Sequence, residues 1–259
     1  ALFHRHTKPI RLSAAGQKLV ALARDTLPRF EQVERELARI AAGDAGRLYL
    51  AIECHACFEW LMPVLARFKA RWRAVDVDIR LGLAFDSLPA LRQGDIDLVI
   101  TSDPVETPDL AFVPLFDYEG LLVLPDNHPL TAQPWIQPEH LAGETLITYP
   151  VPSARMDVFK YFLQPAGVAP AAVRQAELTA IILLLVTSGQ GVAALPDWVM
   201  RHTPHSRSLV TRPLGAAGLH RTLYAALRSG DRELDYLRDF SNFAREHQAA
   251  AHAVSLGPG

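Results

Sequence analysis

The chain has 259 residues, 49% of them apolar and 21% charged, an ordinary composition for a folded soluble protein with room for two medium domains or one large one. A net charge of -2 excludes a globally basic nucleic-acid surface, so any such contact has to come from a local patch. No run approaches the roughly 18 apolar residues of a membrane span, the start lacks a signal peptide's apolar stretch, and two cysteines make no secreted disulfide framework, so a cytoplasmic protein without membrane contact is expected.

The first element is a basic ribbon, Leu2 to Gly16. Arg5, Lys8, Arg11 and Lys18 are positive with no acid before Asp25, and Pro9 keeps the chain extended. Arg5, Lys8 and Arg11 therefore suit phosphate oxygens of DNA, with a solvated basic terminus as the alternative. Ser13 is a reasonable N-cap for a helix from Ala14 to Ala42, and Pro28 predicts a kink in it. Leu19, Ala23, Phe30, Val33, Leu37 and Ile40 recur there with the three- and four-residue steps of a coiled-coil seam. At about 1.5 Å per residue the rod spans roughly 45 Å and needs a partner; a second copy of the chain is favoured over its own globular body. Gly43 to Gly46 ends the helix as a hinge.

Strands and helices then alternate. Leu48 to Glu53, Val75 to Leu81 and Asp97 to Thr101 read as strands, with helices from Phe58 to Trp72 and Leu88 to Gln93 between them, a parallel-sheet pattern. Ala111 to Leu115 and Gly120 to Leu124 are predicted as two strands separated by Phe116 to Glu119. A second alternation follows: strands Thr145 to Thr148, Val173 to Glu177 and Gly191 to Leu195, and helices Met156 to Phe162 and Thr179 to Ser188. Strand Thr222 to Leu227 and helix Leu234 to Glu246 return the chain to the first lobe, and Ala249 to Gly259 is expected to fray. The expectation is an α/β chain with lobe I at 47–117 and 221–248, lobe II at 118–220, and a ligand cleft between them.

Leu2-Phe3 with Arg11-Leu12-Ser13-Ala14-Ala15-Gly16, then Gly94-Asp95-Ile96-Asp97-Leu98-Val99-Ile100, then Gly189 to Pro196, stand in an order and at a spacing that resemble the LysR-type transcriptional regulators. The resemblance covers nearly the whole chain. It implies a two-lobed effector domain of periplasmic-binding-protein type at 47–248, preceded by a linker and dimerisation helix at 13–43 and, at 1–12, the wing remnant of a winged helix-turn-helix whose major-groove helix is not among these residues. A homodimer or homotetramer, DNA as partner through that head, and no enzymatic reaction are further implications. Glu53 to Pro63 is similar to the matching segment of the family's methionine-biosynthesis regulators, supported by Leu146 to Pro150, Phe162 to Val168 and Ala176 to Thr179. That implies homocysteine as coeffector, no other cofactor, and methionine-synthesis genes as targets.

Cys54, His55, Ala56 and Cys57 stand where the first strand hands over to the first helix, so backbone N–H groups there can meet a ligand carboxylate, and the family contacts effectors at this place. An amino-acid ammonium wants a carboxylate: Glu53, Asp86 beside Phe85, and Glu177 beside Leu178 are the candidates. Thr101, Ser102, Thr148 and Tyr149, at predicted strand ends, offer hydroxyls to a ligand or cap neighbouring turns. The two thiols read most simply as pocket or core lining. A C-x-x-C redox pair and metal capture with His55 are the alternatives, though no second C-x-x-C completes a zinc site and no metal is expected. A thiol oxidoreductase and a solute-binding protein are the rival classes; the long seam speaks against the second.

Overall fold

A computed structural model describes residues 1–4, 11–42, 46–53, 55–80, 87–201 and 208–255. Arg5, Lys8, Cys54, Phe85 and Asp86 lie outside the described residues, as do the side chains of His55 and Ile40.

Strands β1 (Phe3–His4) and β2 (Arg11–Leu12) pair antiparallel, Phe3 opposite Leu12, and Arg11 is exposed. Helix α1 (Ala14–Ala42) follows at once, and the Ser13 hydroxyl accepts the Gly16 amide at 3.1 Å, satisfying one of the orphan N–H groups of the first turn. The ribbon lies so close to this turn that a Cβ on Gly16 would stand 2.1 Å from the Leu2 carbonyl oxygen, so only glycine fits. Along α1, Leu19, Leu22, Leu27, Phe30, Val33 and Leu37 are exposed, Phe30 to 64%, and Ala23 is half-buried, so the predicted seam is left open by its own chain. Another face of α1 docks on the globular body: Arg35 donates to the Gly94 carbonyl and lies 5.3 Å from the Tyr49 ring centre.

The body follows in the order β3 (Gly46–Ile52), α2 (Phe58–Arg71), β4 (Val75–Ile79), α3 (Ser87–Gln93), β5 (Leu98–Thr101), β6 (Leu110–Pro125), β7 (Thr145–Thr148), β8 (Ala172–Gln175), α4 (Thr179–Thr187), β9 (Ala193–Pro196), α5 (Asp197–Arg201), β10 (Leu209–Pro213), β11 (Leu219–Arg228) and α6 (Asp235–Ser255). Among the described residues seven strands share one sheet, β10-β6-β11-β5-β3-β4, with β9 also on β6. The expected parallel pairing holds for β4-β3-β5 but not beyond: β11 runs antiparallel to β5 and β6, so the sheet is mixed.

Further differences have physical causes. Phe116 to Glu119, read as a break between two strands, stays paired with Leu223 to His220, so β6 is one strand of 16 residues. Continuous backbone pairing with β11 outweighs the polar side chains that suggested a turn. The predicted helix Met156 to Phe162 is instead a π-helix, Val158–Leu163. Its wider winding keeps Val158, Phe159, Phe162 and Leu163 buried while Lys160 and Tyr161 reach Asp103 of the first lobe. Helix α6 continues through the segment expected to fray, as far as Ser255. The short α5 and the edge strand β10 have no counterpart in the sequence reading; β10 is recruited by pairing Leu209 with Pro125 of β6.

Lobe I carries α2 and α6 on one face, where Phe68 meets Phe240 edge-on at 6.0 Å and Trp72 donates to Asp239 at 3.1 Å. Lobe II hangs on the far half of β6, which pairs with β9 and β10; parallel strands β7 and β8 join it through a bridge from Leu146 to Val192. Trp198 of α5 closes the back of the cleft. Fully buried, it donates to the Ala56 carbonyl at 3.0 Å and stands edge-on to Phe116 and Tyr118 at 5.6 and 4.8 Å. Hydrophobic burial is therefore continuous from one lobe to the other at that point. Among the described residues no helix is long and apolar enough to cross a membrane.

Candidate functional site

The ends of β3 and β5 create the lobe I wall of the cleft. Because the Glu53 amide donates to the Ile100 carbonyl at 2.9 Å, Glu53 stands beside Thr101, whose hydroxyl donates to its carboxylate at 2.6 Å. The same hydroxyl accepts the Asp103 amide at 3.1 Å, fixing the turn after β5. Facing these, the end of β7 presents Thr148 and Tyr149, and the stretch after it presents Arg155, Met156 and Asp157. Tyr118 and Gly120 of β6 cross between the lobes, and Val158, Leu195, Leu214 and Leu219 form an apolar floor. Together they enclose a cavity of about 130 Å³.

Three carboxylates line this cavity, and their surroundings separate them. Asp103 receives Lys160 at 2.8 Å and Arg221 at 3.1 Å; Asp157 receives the Tyr118 hydroxyl at 2.6 Å and Arg221 at 3.3 Å. Glu53 has no cation within ion-pair distance among the described residues. Burial pushes its carboxyl above the ordinary glutamate value, an effect opposed by the Thr101 hydrogen bond and the more distant Arg155. Burial also raises Asp157, against Tyr118 and Arg221. The Asp103 hydrogen bond raises Lys160, and Arg221 stays above its usual value because Asp157, Tyr161, Tyr118 and Asp103 outweigh its burial. A buried polar atom on the cavity wall lacks a hydrogen-bond partner among the described residues: the Thr148 hydroxyl, on a residue 6% exposed. Such an atom costs about 1–3 kcal/mol unless a ligand or water satisfies it.

Of the residues expected from sequence, Glu53, Ala56, Thr101, Ser102, Thr148 and Tyr149 come together here. The Tyr149 hydroxyl shares a 2.9 Å hydrogen bond with Thr179 at the head of α4. Cys57 lines the core, one of the two places its simplest reading allowed, and not the cavity. It caps α2 and is fully buried with Trp60 and Leu61 in the main core, behind the cavity wall rather than on it. Glu177 and Leu178 are exposed at the head of α4, outside the cavity. Asp103, Tyr118, Arg155 and Asp157 were missed. The available signal was the charge alternation in Arg155, Asp157 and Lys160, which a regular helix would have scattered.

Residues 41–249 match the LysR substrate binding domain. The chain is 42% identical over 246 residues to the transcriptional regulator MetR of Salmonella typhimurium, covering 95% of this chain and 76% of that protein. It is 38% identical over 239 residues to MetR of Haemophilus influenzae, covering 92% of this chain and 77% of that one. The solved regulatory domain of MetR from N. meningitidis, a LysR family regulator, superposes with a TM-score of 0.75 at 40% identity, over 79% of this chain and 94% of that one. Full-length OxyR from Pseudomonas aeruginosa shares the fold, with a TM-score of 0.67 at 23% identity over 94% of this chain and 84% of its own.

Proposed function

Because this chain belongs to the LysR family of transcriptional regulators, we propose that it is the sensing and dimerising part of a regulator of methionine-biosynthesis genes that takes homocysteine in the cleft between its lobes. The observation that carries this reading is Glu53: a half-buried carboxylate on the wall of a largely apolar cavity, with no cation in ion-pair range among the described residues and only the charge of Arg155 acting on it from farther off. An α-amino acid supplies that cation. Its ammonium meets Glu53, its carboxylate faces Arg155, and its side chain runs onto the apolar floor. A thiol at the end of that side chain can both donate to and accept from the Thr148 hydroxyl, whereas a thioether only accepts weakly and adds a methyl group. Calorimetric titration is expected to show tighter binding of homocysteine than of methionine. Equal binding of the two, or none, overturns the assignment.

DNA contact is assigned to the reading head that the family places ahead of the ribbon, with Arg11 of β2 at the phosphates, and oligomerisation to the open seam of α1. A row of six exposed apolar side chains on one helix is costly in water and is relieved by the same row on a second copy. Sedimentation is expected to give at least a dimer, and Phe30→Asp to shift the mass toward one chain. A monomer in the parent protein removes the seam from the account. Effector binding acts by favouring one arrangement of the lobes, which the docked linker helix passes to the DNA-reading head.

A further inference from the structure

Four charged side chains beside the cavity form one cluster that joins the lobes. Asp103, at the end of β5 in lobe I, accepts Lys160 Nζ at 2.8 Å, Arg221 Nη2 at 3.1 Å and the Tyr161 hydroxyl at 3.4 Å. Arg221 also donates to the Ser102 carbonyl at 2.5 Å on that side and pairs with Asp157 of lobe II at 3.3 Å on the other. Its guanidinium lies 4.2 Å from the Tyr161 ring centre, and the Lys160 ammonium 4.8 Å from it, so one aromatic face steadies both cations. Arg221 sits opposite Tyr118 in the β11-β6 ladder, where both strands cross from lobe to lobe. Lys160 is on the π-helical turn, wound more widely than an ordinary helix. Neither Lys160 nor Arg221 lines the cavity, yet both hold carboxylates that do.

From this arrangement we infer that Lys160 and Arg221 are positioning residues of the effector site: Arg221 ties the crossing strands to both lobes, and the Lys160–Asp103 pair is the closing latch that sets how far apart the lobes stand. The inference deepens the cleft reading above and takes the same ligand. The back of the cleft is pinned by apolar packing around Trp198, which gives a fixed fulcrum. The latch is half-exposed, so it is weak enough to open and close on a regulatory timescale while still biasing the equilibrium. With Asp103 and Asp157 neutralised, Glu53 is the one of the three carboxylates that has no cation in ion-pair range among the described residues, which orients an incoming ammonium toward lobe I.

The test is Lys160→Met, with Lys160→Arg as the conservative variant, in the chain described and without ligand first. Hydrogen exchange at the amides of 101–103 and 157–161 is expected to quicken about three- to tenfold in Lys160→Met, with the amides of 60–68 and 236–244 unchanged. Homocysteine affinity is expected to fall by a similar factor, and Lys160→Arg to restore both. Unchanged exchange at the lobe edges overturns the latch, and so does a uniform rise across the chain, which marks a merely structural role. An edge-confined exchange response in a protein that binds no homocysteine upholds the latch while removing the effector assignment. Edge-confined exchange with unaltered homocysteine affinity overturns the positioning role.

Discussion

Glu53→Gln is expected to lose most of its affinity for homocysteine, by about 2–4 kcal/mol or roughly thirtyfold to several hundredfold, because it deletes the single charge that faces the effector ammonium in a site shielded from water. The same change is expected to make the empty protein more stable at neutral pH. Glu53 titrates above its unfolded-state value because burial penalises the ionised form. The penalty is absent below the unfolded-state pKa, grows as pH rises through the raised folded-state value, and is complete above it. The variant should therefore melt above the parent at pH 7.5, with the gap closing toward pH 4. An effector ammonium favours the carboxylate and lowers its pKa in the complex, so binding to the parent at a pH between the ligand-bound and ligand-free folded-state values should release a proton, visible in calorimetry as a dependence on buffer ionisation enthalpy. A variant that binds as well as the parent removes Glu53 from the site.

The largest loss of stability is expected from Arg228→Met. Arg228 is half-buried between β11 and α3 and donates to Asp97 at 2.8 Å, Asp231 at 2.6 Å, and the Leu91 and Ile96 carbonyls at 3.0 and 2.6 Å. Asp97, 1% exposed, also accepts the Tyr49 amide at 2.9 Å, so this one ion pair fastens β3, α3, β5 and β11. Removing the cation leaves a buried charge facing apolar residues, a loss of about 3–5 kcal/mol and about 6–20 °C in Tm for a domain of this size. The double variant Arg228→Met with Asp97→Asn should recover part of that loss, because it removes the stranded charge. A single variant melting within about 2 °C of the parent would show that the cluster is not what holds the sheet, since even 1 kcal/mol moves Tm by that much.

The polar rim contributed by strand ends was legible in the sequence because a buried parallel strand announces its own end. Glu53, Thr101 and Thr148 each follow or close an apolar run, and strand ends of a parallel unit converge on one side. The rest of the rim was not legible, for reasons of distance along the chain. Asp103 meets Arg221 across 118 positions and Lys160 across 57, and both meetings depend on β6 and β11 crossing the lobes unbroken and on the π-helical turn. Hydrophobic periodicity carries neither feature. For Cys57 the simplest reading of the thiol, as a small apolar group lining pocket or core, holds on the core side: the cap position of α2 faces the core shared by Trp60 and Leu61. Glu177 misled because β8 ends at Gln175, two residues short of the expected strand end, so the acid falls in the exposed turn before α4.

The close seating of the ribbon on the first turn of α1, with no room for a Cβ at Gly16, makes the two a single lever. Its other bearing is the Gly94 carbonyl held by Arg35, about 28 Å along the helix axis at 1.5 Å per residue. A tilt of about 10° at that bearing sweeps the ribbon sideways by about 5 Å, more than the roughly 3.4 Å of helix axis that each nucleotide of one DNA strand occupies. On the proposed reading, with Arg11 at the phosphates, a small lobe movement beside the cavity would be enlarged at Arg11 to more than the axial rise of one nucleotide.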